Sequence, residues 1–156
     1  MGCDIHCYAE IHKAFGDEPK KWYKLGYMFK YPYVEKDDIV IDHGDGDIHC
    51  VLTDRCYSGR NYGLFGILAG VRGEATPIAE PRGVPTDASE GYKKVLADWG
   101  VNAHTPSWYT LFELLKPKTY AKLSVSPEFQ KAMLNLRKKL KEYNTKDIRI
   151  VFFFDN

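Results

Sequence analysis

Cys3-Asp-Ile-His-Cys-Tyr-Ala-Glu-Ile-His12 and Ile148-Arg-Ile-Val-Phe-Phe-Phe154 are the stretches whose reading decides the fold. The first alternates. Cys3, Ile5, Cys7, Ala9 and Ile11 fall on one side; Asp4, His6, Tyr8, Glu10 and His12 fall on the other. A period of two is that of a strand with one buried face. The second stretch is almost continuously apolar, as in a strand covered on both faces. Three successive phenylalanines on an open sheet edge invite aggregation, so this strand is expected in the middle of the sheet, beside the first.

Working outward, Gly16-Asp17-Glu18-Pro19 reads as a turn, and KWYKLGYMF at 21–29 as a second strand. Residues 30–46 read as an irregular excursion and 47–53 as a short strand. Helix signals follow. Asn61 or Ser58 caps a helix running to about Val71, in which Gly63, Gly66 and Gly70 imply close backbone packing. Residues 73–86 hold three prolines and form a loop. Asp87 with Glu90 fits a capping box for a helix ending near Trp99. Thr105-Pro106 opens a helix that Pro117 closes, and Ser126-Pro127 opens another carrying Phe129, Met133, Leu136, Leu140 and Tyr143 on one face. The order predicts a single α+β domain over 1–156. It is a small, mainly antiparallel sheet with adjacent N-terminal and C-terminal strands, and a helical middle packed on one side of it.

Composition excludes several classes. The 156 residues are 44% hydrophobic and 28% charged, as in a folded domain. Lys and Arg number 22 against 21 Asp and Glu, a net +1 that argues against strong nonspecific nucleic-acid binding. No stretch approaches the roughly 18 apolar residues of a membrane span, and no apolar signal core follows Met1, so a cytoplasmic protein is expected. Cys3, Cys7, Cys50 and Cys56 contain no CxxC pair, which leaves free thiols as the expectation. Charge is uneven: 35–54 carries seven acids and one base, 116–149 ten bases and three acids. The basic run reads first as the solvated face of the last helix, and more sharply as a patch for an anionic partner.

The most suggestive motif is DIHC, present at Asp4–Cys7 and again at Asp47–Cys50. In each copy the carboxylate and imidazole are two residues apart and share a strand face. Paired strands would gather Asp4, His6, Asp47 and His49 into a nitrogen–oxygen set suited to a divalent metal such as Zn, Mn, Fe or Mg. The plainer reading is two strand faces meeting water. Asp42, His43, Asp45 and Asp47 do not make a calcium loop, because the sixth position is Asp47 where glycine is needed and the twelfth is Thr53. Arg60-Asn61 stands where a helix begins, a natural anion site. Arg72 and Arg82 frame the proline loop, and His104 precedes Thr105-Pro106. Tyr62 and Trp108 offer stacking surfaces. No Walker A loop, GxGxxG, HExxH or GxSxG is present.

Taken together, several blocks resemble a family of small, uncharacterised bacteriophage and prophage proteins that open with MGCDIH. The matching residues are 1–6 with Glu10, Tyr57-Ser-Gly-Arg-Asn-Tyr62, LFGILAGVRG at 64–73, PIAEPRGVPTDAS at 77–89, DWGVNAHTPSW at 98–108, TLFEL at 110–114 and IRIVFFFDN at 148–156. The family's histidine block reads closer to His-Ser-His-Ser-Trp. Here it is His104-Thr-Pro-Ser-Trp108, without the second histidine, which weakens any two-histidine mechanism. The resemblance implies a phage setting, a host bacterial cytoplasm, and little chemistry.

The expectation is therefore a phage accessory protein acting on a small phosphorylated, nucleotide-like ligand, as a metal-dependent phosphoester hydrolase. The polar strand face, Asp4, His6 and Glu10, should line a pocket with Arg60, Asn61 and His104. Asp4, His6, Asp47 and His49 would hold the metal. Arg60, Asn61, Tyr62, Arg72, Arg82 and Trp108 would bind the ligand, and His104 and Glu10 would move protons. The alternative is a protein without catalysis that sequesters a nucleotide signal of host defence, or docks on a host protein. The oligomeric state stays open.

Overall fold

In the computed structural model, which describes residues 2–14, 16–25, 39–42, 48–51 and 55–155 (39–42 and 48–51 by backbone alone), the two deciding stretches lie side by side. Strand β1 (Ile5–Lys13) runs antiparallel to β7 (Ile148–Phe154), from Ile5 opposite Phe154 to Ile11 opposite Ile148. Every residue of β7 is buried. Its other edge carries β6 (His104–Thr110). The free edge of β1 is shared by β2 (Lys21–Lys24) along one half and β5 (Tyr57–Gly59) along the other. The order is β2-β1-β7-β6, with β7 interior as expected. Strands β3 (Ile39–Asp42) and β4 (Ile48–Val51) form a separate antiparallel pair. Positions 26–29 of the expected second strand, and most of the acidic stretch, lie outside the described residues.

Helices cover both faces of the main sheet, not one. On the first face, Ile5, Cys7, Ala9, Ile11, Ile150 and Phe152 pack against α1 (Tyr62–Ala69), α3 (Leu111–Leu114) and α5 (Pro127–Lys139). On the second, Tyr8, Val151 and Phe153 pack against Tyr92, Val95, Leu96 and Trp99 of α2 (Glu90–Trp99). The reason lies in β7. A strand apolar at every position but Arg149 exposes Val151 and Phe153 unless something covers the far face.

Local signals explain most helix ends and correct others. Asn61 caps α1 by accepting from the Leu64 amide, and the helix stops at Gly70, whose φ of 69° is the left-handed C-terminal conformation that glycine favours. Gly66 backs directly onto Gly73: a Cβ on Gly66 would sit 2.9 Å from the Gly73 Cα. That is the close approach the glycine stripe implied. Ser89, not Asp87, caps α2. The helix expected from Thr105-Pro106 is instead strand β6. Proline is tolerated there because the strand lies at the sheet edge and its register shifts between His104 and Ser107. The following helix is α3, opened by a Thr110–Glu113 capping box. Pro117 begins α4 (Pro117–Lys122) where it was expected to end a helix, and Ser126 caps α5 as read.

Deleting residues 150–156 should abolish folding. Ile150, Val151, Phe152, Phe153 and Phe154 are all at most 1% exposed, and each buried phenylalanine contributes about 1.5–3 kcal/mol against a total stability of about 5–15. Circular dichroism should show no native-like spectrum and no cooperative melt. A truncated chain that melts cooperatively would refute the interior role of β7.

Candidate functional site

The middle of the polar side of β1 does not meet bulk water: His6 is 3% and Glu10 0% exposed, whereas Asp4 and His12 are partly exposed. Its charged groups divide into two clusters. The first is at the sheet end where β1 begins and β7 finishes. There Asp155, just past β7, exchanges backbone and side-chain bonds with Asp4: the Asp155 amide donates to the Asp4 carbonyl, and the Asp4 amide donates to Asp155 Oδ1 at 2.9 Å. Asp155 Oδ2 lies 2.7 Å from His6 Nε2. His6 is wedged between Trp99, with ring centroids 4.2 Å apart, and Phe153. Its Nδ1 has no hydrogen-bond partner among the described residues.

Arg60, delivered between β5 and α1, forks onto Asp4 with bonds of 2.9 and 3.1 Å. Its guanidinium lies so close against Gly2 that a Cβ there would overlap it. The Cys3 amide donates to the Tyr62 hydroxyl, and Tyr62 keeps an exposed edge. The Arg72 guanidinium is 6.0 Å from the Tyr62 ring. Arg72 is exposed, has no carboxylate partner among the described residues, and holds a φ of 58°, a left-handed conformation uncommon for a side chain of its size. His104 belongs to the same end, because Phe154 stands opposite both His104 and Ile5. The strands bearing His104 and His6 are two steps apart, about 10 Å.

Electrostatics favour a charged Asp155. Burial pushes its carboxyl up, but the His6 ring, the Asp4 amide and nearby Arg60 outweigh it and hold the group below the usual carboxylate range. The Cys3 thiol, within the field of the same charges, is raised, chiefly by burial.

The second cluster is at mid-sheet and takes Glu10 away from the first. Arg149 Nε donates to Glu10 Oε1 at 2.6 Å, and the Ser89 amide donates to Oε2 at 2.8 Å. Arg149 also binds the Asp87 carboxylate and carbonyl. Its guanidinium lies 3.9 Å from the Trp22 ring centroid and 5.7 Å from that of Trp108. Trp22 in turn stacks on His12, and Trp108 receives Arg82 at 4.7 Å. A cleft of about 500 Å³ adjoins this cluster, between β2 and the start of α2, lined by His12, Lys21, Trp22, Lys24 and Ser89 among others.

The expected site thus separates. Asp4, His6, Arg60, Tyr62, Arg72 and His104 share the sheet end. Glu10, expected to move protons, is instead sealed in an ion pair. Asn61 is spent on capping α1 and on the Val125 carbonyl. Arg82 forks onto Glu113 and bonds the Trp108 carbonyl, so Arg82 and Trp108 brace the edge strand. Of the metal quartet, Asp47 lies outside the described residues and the His49 side chain is not described. Among the described residues the strands that carry the two DIHC copies are not paired with each other, since β4 pairs with β3 and β1 with β2, β5 and β7. Among the described residues no three His, Cys, Asp or Glu side chains already converge on one point. No described helix is long and apolar enough to cross a membrane. Sequence reasoning missed Asp155 as the partner of His6; the antiparallel register of β1 and β7 is the signal that locates it. Comparison with protein-family models, with curated proteins and with solved structures finds no match to the chain.

Two outcomes follow. Glu10→Gln leaves the Arg149 charge half answered in a buried site and should cost about 3 kcal/mol, read by urea denaturation. Asp155, Asp87 and Glu113 all have carboxyls lowered in the fold, in each case because arginine or histidine hydrogen bonds outweigh burial. Lowered groups contribute stability above the unfolded carboxylate range, and it is lost as pH falls through their folded values, so stability should decline below about pH 4. Asp155→Asn should flatten that decline. An unchanged slope would remove His6–Asp155 from the acid response.

Proposed function

We propose that the protein is a phage accessory protein acting on a phosphorylated, nucleotide-like ligand at the sheet end, as a metal-dependent phosphoester hydrolase. The observation that carries this reading is the Asp4–Asp155 pair. Two carboxylates from neighbouring strands sit at one sheet end, one kept ionised by His6, with Arg60 and Arg72 around them. Oxygen donors of this kind suit Mg²⁺ or Mn²⁺, which commonly take one or two carboxylates and leave remaining positions to water and substrate phosphate. When bound, the metal would activate a water for attack on phosphorus.

The chain's own residues have distinct parts in this reading. His6 holds Asp155 in one orientation and in its charged form. Arg60 releases Asp4 to the metal and turns to the phosphate, and Arg72, with no carboxylate to leave among the described residues, meets it directly. The exposed edge of Tyr62 takes a base or ribose. His104, at the same sheet end, protonates the leaving oxygen.

The test is phosphate release from a panel of nucleotides, cyclic dinucleotides and aryl phosphates, with Mg²⁺ or Mn²⁺ and with EDTA. Turnover should require the metal. It should fall at least about 100-fold in Asp155→Asn, and Arg72→Ala should raise KM about tenfold, the loss of one charge-assisted contact. Ligand recovered intact after tight binding and heat denaturation would replace hydrolysis by sequestration. Absence of both binding and turnover would overturn the site.

A further inference from the structure

We infer that Cys7 and Cys56 form an oxidisable dithiol, closing to a disulfide that staples the centre of the sheet to the segment entering β5. Their Sγ atoms are 3.4 Å apart. The backbones are already joined, because the Cys56 amide donates to the Cys7 carbonyl at 3.0 Å and Tyr57, the next residue, stands opposite Cys7 in the β1–β5 ladder. Closing from 3.4 Å to the roughly 2.05 Å of a disulfide needs a side-chain rotation or a small local shift, not a rearrangement of strands.

The two thiols are unequal in a way that assigns their parts. Cys7 is fully buried on the first face of β1, and burial together with the Cys56 hydrogen bond pushes its thiol well up. Cys56 is half-exposed. A peroxide therefore meets Cys56 first. The Cys56 thiolate attacks one peroxide oxygen and the O–O bond breaks, giving a sulfenic acid and, once the released hydroxide is protonated, water. The Cys7 sulfur then attacks the sulfenic sulfur, the S–O bond breaks, and the hydroxyl leaves with the Cys7 proton as a second water. Two thiols lose two electrons in total and the peroxide gains them. Cys3 is the internal contrast: it lies two residues before β1, buried in the same apolar cluster as Cys7, and its amide donates to the Tyr62 hydroxyl.

This inference is independent of the hydrolase reading. The test treats the folded full-length chain with hydrogen peroxide, blocks residual thiols under denaturing conditions with iodoacetamide, and maps the peptides by mass spectrometry. Expected are a loss of two mass units in the chain, one cross-link joining the Cys7 and Cys56 peptides, and full alkylation of Cys3. Cys56→Ser should remove the cross-link, and the oxidised wild-type chain should melt several degrees higher, reverting with dithiothreitol. Cys56 oxidised to the sulfinic acid with Cys7 still alkylated, or Cys56 joined to Cys50 or to a second chain, would overturn it. So would a Cys7–Cys56 link that leaves the melting temperature unchanged, since it would not staple the folded sheet.

Discussion

A carboxylate with no exposed surface must be answered inside the protein, and Glu10 is answered by Arg149 across the β1–β7 ladder. Much of the structure depends on this pair. It fixes which residue of β1 faces which residue of β7, because a slip of either strand by one position would drive its own charge into the apolar first face and leave the other buried charge unanswered. It also recruits α2. The second Glu10 oxygen takes the Ser89 amide at the start of that helix, and Arg149 takes Asp87 just before it. Such pairs are poor sources of net stability, yet costly to break singly. What this one supplies is register and the placement of a helix on the second face.

That placement ties the two ends of β1 together. With the entry to α2 anchored through Ser89 and Asp87 on Glu10 and Arg149, its last residue, Trp99, lies on His6. The His6 ring is then caught between Trp99 and Phe153 with Nε2 toward Asp155. The sheet-end cluster is thus positioned partly from mid-sheet, through the length of one ten-residue helix. Arg60 reaches the cluster by the separate route of β5, which pairs with β1 at Ile5, His6 and Cys7.

Period-two alternation and an apolar run were enough to place β1 and β7 and to make β7 interior. Register was also legible in principle: Arg149 is the single charge in its run, and pairing Ile5 with Phe154 brings Glu10 opposite it. Strand β6 was not, since Thr105-Pro106 carries a helix-start signal that only an edge position and a register shift make compatible with a strand. The site was half legible for the same reason. Asp4 and His6 belong to a local motif and Arg60 to a local helix start. Their grouping with Asp155, 151 positions from Asp4, exists only after the chain closes. Asn61, Arg82 and Trp108 have the chemistry of ligand-binding residues, and it is used internally, on a helix cap and an edge strand.

The row of rings and guanidinium groups running His12, Trp22, Arg149, Trp108, Arg82 has an optical consequence. The chain has three tryptophans, and all of them lie on the second face: Trp22 and Trp108 against arginines, Trp99 against an imidazole. None belongs to the apolar cluster between the sheet and α1, α3 and α5. Intrinsic indole emission therefore watches one layer of this protein and is nearly blind to the other. Its intensity and wavelength follow the charged column and the seating of α2, while loosening of the larger core under α5 goes unseen until the sheet itself parts.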